Sequence, residues 1–164
     1  SVDLLTTRPE KWAHDFKVNA PNSQVFNGHI ETFTDKPEDV IPNADIVFLC
    51  LPAFAVEETI LKIAPYLKPS TIVGTVVANT GFFIFCHKHL PATSKLFGLQ
   101  RVPYVSRIVE YGKEANLLGY RDALYVATEN IENREEFRSF LEEMFLEKTH
   151  LVDSFYEVIT SQFQ

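Results

Sequence analysis

Residues that can meet a ligand stand just beyond three expected strands of this chain. Thr6-Thr7-Arg8 follows Val2 to Leu5, Leu51-Pro52-Ala53 closes Ile46 to Leu51, and Asn79-Thr80 follows Thr71 to Ala78. Arg8 beside two hydroxyls, at the start of an expected helix, has the chemistry of a phosphate grip. The same residues also suit a plain helix start, with Thr7 as the cap and Arg8 paired to Glu10. At Leu51-Pro52-Ala53 and Val56, a strand end meets a helix start. Free backbone groups and a small side chain there let a ligand approach closely, or make an ordinary turn. The amide of Asn79 and the hydroxyl of Thr80 can bind a polar ligand or only brace their loop.

Other reactive types are poorly placed for chemistry. His87 and His89 are two residues apart, which turns their rings to different sides of a helix and gives no metal-ligand spacing. His14, His29 and His150 are isolated in sequence. Cys50, in the apolar run, and Cys86 form neither a disulfide framework nor a zinc motif, and are read as core thiols.

Those residues need elements to hold them. Ile46 to Leu51 is an unbroken apolar run, as a central strand covered on both faces requires. Val56, Ile60, Ile63, Ala64 and Leu67 follow with helical spacing, and Thr71 to Ala78 supplies the next strand. This strand–helix–strand unit has its carboxyl edge at Pro52 and Asn79, where open α/β sheets bind ligands. Upstream, Val2 to Leu5 reads as a strand, and Thr7 to about Phe16 as a helix with capping-box spacing between Thr7 and Glu10. Asn19 to Gly28 reads as a loop, His29 to Thr34 as a half-buried strand, and Asp35 to Pro42 as a polar turn or short helix.

Downstream, Asn79 to Gly81 leads into a helix, and Ser94 to Gln100 is a strand. Ala115 to Leu118 and Ala123 to Thr128 read as a hairpin, with Ile108-Val109 as a third strand. Asn133 and Glu136 form a second capping box ahead of a helix bearing Phe137, Phe140, Leu141, Met144 and Phe145 on one face. His150 to Val152 is one more strand.

At 164 residues, with 46% apolar and 23% charged residues, the chain has the composition of one globular domain. Its net charge of −7 argues against a nucleic-acid surface. No run approaches the ~18 apolar residues of a membrane span. Neither nucleic acid nor membrane is therefore an expected partner, and a cytoplasmic location is expected. Strands alternating with helices, then an antiparallel addition, give an α/β class with a mixed sheet.

Three stretches resemble the opine dehydrogenase family (octopine and nopaline type). They are Ala44 to Pro52, Asn79-Thr-Gly-Phe-Phe83, and Pro103-Tyr-Val-Ser-Arg107 with Glu110-Tyr-Gly112 and Leu118-Gly119. The third is the discriminating one. Ketopantoate reductases and glycerol-3-phosphate dehydrogenases are more distantly similar. The resemblance implies a Rossmann-like, doubly wound, mostly parallel sheet with an added hairpin, binding NADP, with NAD as the alternative. It implies cofactor contacts at Thr6, Thr7, Arg8, Leu51, Pro52, Ala53, Val56, Asn79 and Thr80, and substrate contacts at Ser106 and Arg107. The implied partners are a keto acid and an amine or amino acid; association into a homo-oligomer is a separate expectation, from the open edges of a sheet without its first strand.

The chain also departs from that pattern. Its six glycines make no G-x-G-x-x-G turn, and it lacks the family's second, mostly helical domain with the catalytic base. Residues 1–153 are expected to be a dinucleotide-binding domain without its first strand, and 154–164 the start of a linker. Alone, these residues are expected to be inactive and to associate through open sheet edges. The rival reading is a non-enzymatic nucleotide-sensing or interaction module.

Overall fold

The computed structural model describes residues 1–160. The chain begins with β1 (Asp3–Leu5), β2 (Asp15–Asn19), β3 (Val25–His29), β4 (Thr32–Thr34) and α1 (Pro37–Val40). It continues through β5 (Ile46–Leu49), α2 (Ala53–Ile63), β6 (Ile72–Thr75), α3 (Phe82–His89) and β7 (Lys95–Leu99). Then come β8 (Tyr104–Glu110), β9 (Glu114–Tyr120), β10 (Leu124–Glu129), α4 (Arg134–Phe145), β11 (Thr149–Leu151) and α5 (Phe155–Thr160). Two compact units result: Ser1–Asn43 with Tyr104–Tyr120, and Ala44–Pro103 with Arg121–Gln164.

The second unit is built on a five-stranded sheet ordered β11-β10-β7-β6-β5. Strands β5, β6 and β7 are parallel, β10 runs against β7, and β11 runs parallel to β10. Pairing sets Phe97 and Leu99 on one face with Val126, where Phe137 and Leu141 of α4 complete a buried cluster. On the other face, a Cβ on Gly98 would meet Ala78 and the ring of Phe83 from α3, so only glycine lets that helix lie so close. Helices thus cover both faces, as the apolar runs require. Val56, Ile60 and Ile63 of α2 are buried, matching the spacing in sequence. Asn133 caps α4 by accepting from the Glu136 amide at 3.2 Å while its own amide reaches the Glu136 carboxylate at 2.8 Å. Phe140 and Met144, expected on the inner face of α4, are exposed.

The first unit contains a parallel pair, β1-β4, and a four-stranded sheet ordered β3-β2-β9-β8. Three expectations fail there. No helix spans residues 7–16: Pro9–Lys11 is a single 3₁₀ turn without a side-chain cap, and β2 already includes Phe16. Phe16 and Val18 alternate with Asp15, Lys17 and Asn19, and pairing with β3 and β9 outweighs the local capping signal. The expected loop at 19–28 is instead the turn and second strand of the β2–β3 hairpin. Its turn places Asn22 and Ser23 at positive φ. The strand expected over His29–Thr34 is divided between the end of β3 and β4.

The expected hairpin of 115–118 with 123–128 is also corrected. β9 pairs with β8 across the turn at Gly112, whereas β10 lies between β7 and β11 in the other sheet. Leu124, Val126 and Ala127 are all buried, and such a strand needs cover on both faces. Strand β5 is not central either. It lies at one end of its sheet and, among the described residues, pairs with β6 alone, leaving Ile46, Val47 and Phe48 half-buried. Residues 154–160, expected to begin a linker, contain α5, whose Val158 is fully buried. Residues 161–164 lie outside the described residues.

Candidate functional site

Three parallel strands of the second unit end at one edge of the sheet. β5 runs out into Cys50-Leu51-Pro52, β6 into Val76–Thr80, and β7 into Gln100 and Arg101. Because β10 is antiparallel, its lead-in, Arg121–Ala123, reaches the same edge. The Val76 amide donates to the Leu49 carbonyl at 3.1 Å, and the Thr75 hydroxyl to the same carbonyl at 3.2 Å. These bonds hold the first two strand ends side by side, and so bring Pro52 and Ala53 to the same edge as Asn79 and Thr80.

Pro52 is extended and precedes α2 with no side-chain cap. Pro52 and Ala53 are exposed, Leu51 is half-buried, and Val56 is fully buried in the core. Phe54, which the sequence did not single out, projects beside them with 88% of its surface exposed. It lies off the buried stripe of Val56, Ile60 and Ile63, and that periodicity is the signal that marks it. Thr80 donates its hydroxyl to the Val77 carbonyl at 3.1 Å, bracing the loop, while Asn79 is exposed. Gly81, at φ 83°, turns the chain into α3, a left-handed conformation that favours glycine.

Cys50 lies beyond the end of β5 and is exposed, which corrects its reading as a core thiol. Cys86 is buried. Burial, and then the Glu129 carboxylate, push its thiol up to about 12, so it is no nucleophile. The histidines of α3 are tethered: His87 Nε2 lies 2.6 Å from Glu129, and His89 Nε2 lies 2.7 Å from Glu57. Lys88 donates to the same Glu57 carboxylate at 2.8 Å. These pairs tie α3 to β10 and α2. Among the described residues no group of three or more His, Cys, Asp or Glu could hold a metal ion.

In the first unit, Thr6, Thr7 and Arg8 follow β1. The Arg8 amide donates to the Thr6 hydroxyl at 3.4 Å, and the Arg8 guanidinium lies 5.0 Å over the ring of Tyr111. The turn that follows has no side-chain cap, so Thr7 does not cap it. Ser106 and Arg107 are exposed on β8, where Arg107 Nη1 donates to the Ser106 carbonyl at 2.9 Å.

No family model matches the chain. Over 97 residues it is 31% identical to octopine dehydrogenase of Pecten maximus, spanning 57% of this chain and 24% of that one. Its fold superposes on the octopine dehydrogenase solved with NADH and L-arginine with a TM-score of 0.84 at 23% identity, covering 99% of this chain and 44% of the other. The fold is the Rossmann-like one that octopine dehydrogenase shares over this stretch, a mostly parallel sheet with helices on both faces and an antiparallel addition. The octopine dehydrogenase solved with NADH and pyruvate superposes on this chain with a TM-score of 0.81 at 24% identity, over 96% of this chain and 44% of that one. The domain therefore spans about a quarter of the curated relative and under half of each solved chain. Among the described residues no helix is long and apolar enough to cross a membrane.

Proposed function

We propose that the chain is the cofactor-binding portion of an NAD(P)-dependent oxidoreductase that reduces a keto acid, or the imine formed from a keto acid and an amine or amino acid. The observation that supports this best is the superposition of nearly the whole chain on an enzyme solved with NADH, with exposed Pro52 and Ala53 at the carboxyl edge of the sheet, where open α/β sheets bind ligands. In the second unit, Leu51 to Ala53, with Val56 behind them, would lie along a ribose, and Asn79 and Thr80 would meet the nicotinamide or the keto acid. In the first, Thr6, Thr7 and Arg8 would hold the adenosine end, and Ser106 and Arg107 would contact substrate.

The fit to such a cofactor is partial. Small, exposed residues and an uncapped helix start suit one wall. The described glycines at positive φ, Gly81 and Gly112, serve turns, and none belongs to a phosphate-cradling G-x-G-x-x-G. The glycine turn and its strand are proposed to belong to a part of the parent protein outside these residues. When bound, the nicotinamide supplies a hydride; the protein positions it and excludes water. Catalytic residues are proposed to lie in the remaining part as well, and a cytoplasmic location goes with this reading.

NADP is proposed over NAD because Arg8 carries a fork suited to a 2′-phosphate. In the intact protein, Arg8→Ala should weaken NADPH binding about tenfold and NADH binding much less, read by fluorescence titration. Equal, unchanged affinities would remove Arg8 from the phosphate role.

A further inference from the structure

Arg8 and Tyr111 are distant in sequence, yet in the first unit the Arg8 guanidinium lies 5.0 Å over the Tyr111 ring. Both sides of this contact are fixed. On one side, the Thr6 amide donates to the Thr34 carbonyl at 2.8 Å, and the Lys11 amide to the Arg8 carbonyl at 3.1 Å. On the other, Tyr111 sits in the β8–β9 turn, edge-on to Trp12 at 5.7 Å, and Trp12 stacks on Phe16 of β2 at 5.9 Å. Backbone bonds stitch that turn to the segment after Arg8. The Ala13 amide donates to the Gly112 carbonyl at 3.0 Å, and the Lys17 amide to the Lys113 carbonyl at 2.8 Å. The pairing of Arg8 with Glu10 that the sequence allowed is not formed among the described residues.

A long exposed side chain loses rotamer freedom when it binds, and that loss subtracts from affinity. A ring beneath the guanidinium imposes the loss already in the free protein. The stack engages only the face of the guanidinium, which the ring quadrupole attracts. The N–H donors lie in the guanidinium plane, so the fork that suits an oxyanion stays open. Arg8 is exposed and Tyr111 is 38% exposed, so a ligand can reach those donors. A carboxylate partner such as Glu10 would instead occupy them and set a negative charge beside an incoming phosphate.

We infer that Tyr111 is a positioning residue, which holds the Arg8 guanidinium ready for the 2′-phosphate of NADPH and so sets a preference for NADPH over NADH. This role presupposes the phosphate contact proposed for Arg8, and adds the residue on which its fork depends. A ring that merely packs on Trp12 would affect both dinucleotides alike. Only NADPH carries the 2′-phosphate, so the two roles separate by ligand.

The experiment titrates NADPH and NADH into the intact protein, read by dinucleotide fluorescence. The proteins are wild type, Arg8→Ala, Tyr111→Phe, Tyr111→Leu and the double variant Arg8→Ala with Tyr111→Leu. Tyr111→Leu should weaken NADPH about three- to fivefold and leave NADH unchanged. Tyr111→Phe keeps the ring and should match wild type. In the double variant the leucine should add nothing to the loss from Arg8→Ala, because the ring acts through the guanidinium alone. If Tyr111→Leu does not fold, phenylalanines bearing one, two and three ring fluorines at position 111 carry the test. They keep the ring's shape while draining its face of negative charge, and should weaken NADPH stepwise. Unchanged NADPH affinity in the leucine variant or across the fluorinated series, with Arg8→Ala weakening it, overturns the inference and leaves the phosphate role of Arg8 standing. Equal losses of NADPH and NADH overturn it too, leaving Tyr111 as packing for Trp12. Arg8→Ala without effect on either dinucleotide removes the phosphate role, and this inference with it.

Discussion

Glu57 is the residue on which most of the polar anchoring of α3 converges. Its carboxylate accepts from His89 Nε2 at 2.7 Å and from Lys88 Nζ at 2.8 Å. The hydrogen bond from His89, then that from Lys88, hold the carboxyl below its ordinary 4.5. A carboxyl lowered by folding adds stability that is complete above its unfolded value and is lost as pH falls through its folded one. Glu57→Gln should therefore melt below wild type at pH 7, and the gap should close on acidification below 4.5. Thermal melts at the two pH values check this, and a gap independent of pH would contradict it. From sequence, the spacing of His87 and His89 said only that they share no metal. The acidic partners of His87, Lys88 and His89 lie 31 to 42 residues away and are invisible to local spacing.

At the scale of elements, local signals were reliable where the element closes its own hydrogen bonds. Asn133 and Glu136 announced α4, and the stripe of Val56, Ile60 and Ile63 announced α2. Strand partners were not legible, because pairing joins residues distant in sequence: β2 takes β9 as a neighbour, and β10 takes β7. That pairing also overrode the capping-box spacing of Thr7 and Glu10. β5 shows the same limit from the other side. Ile46 to Leu49 carries no charge, proline or bulge of the kind that protects an edge, so its composition is that of an interior strand. Gly112 was legible only as part of a family motif, and the fold gives the reason. It closes the β8–β9 turn at φ 76°, with the Lys11 carbonyl where a Cβ would be. Gly112→Ala should destabilise the protein by about 2 kcal/mol or more, read by denaturant unfolding. A loss within about 0.5 kcal/mol would contradict this account of the turn.

For the molecule as a whole, the mostly parallel α/β class and the carboxyl edge of the sheet were legible from apolar runs and their punctuation. The strand ends at Pro52 and Asn79 were found because such ends leave a signature in sequence. The cleft lined by Arg101 and Arg121 was not, since the antiparallel pairing of β7 with β10 is what brings residues 20 apart in sequence to one place. The domain accounts for 24% of a curated relative and 44% of a solved one, so the central claim concerns the protein to which it belongs. The most direct test follows NAD(P)H absorbance with the intact protein, pyruvate and a panel of amino acids. The account predicts oxidation of the dinucleotide that requires the keto acid, and none by the isolated 164-residue chain. Cofactor binding without oxidation under any keto acid and amine would contradict it and favour a sensing module. Turnover by the isolated chain would contradict the placement of its catalytic residues elsewhere.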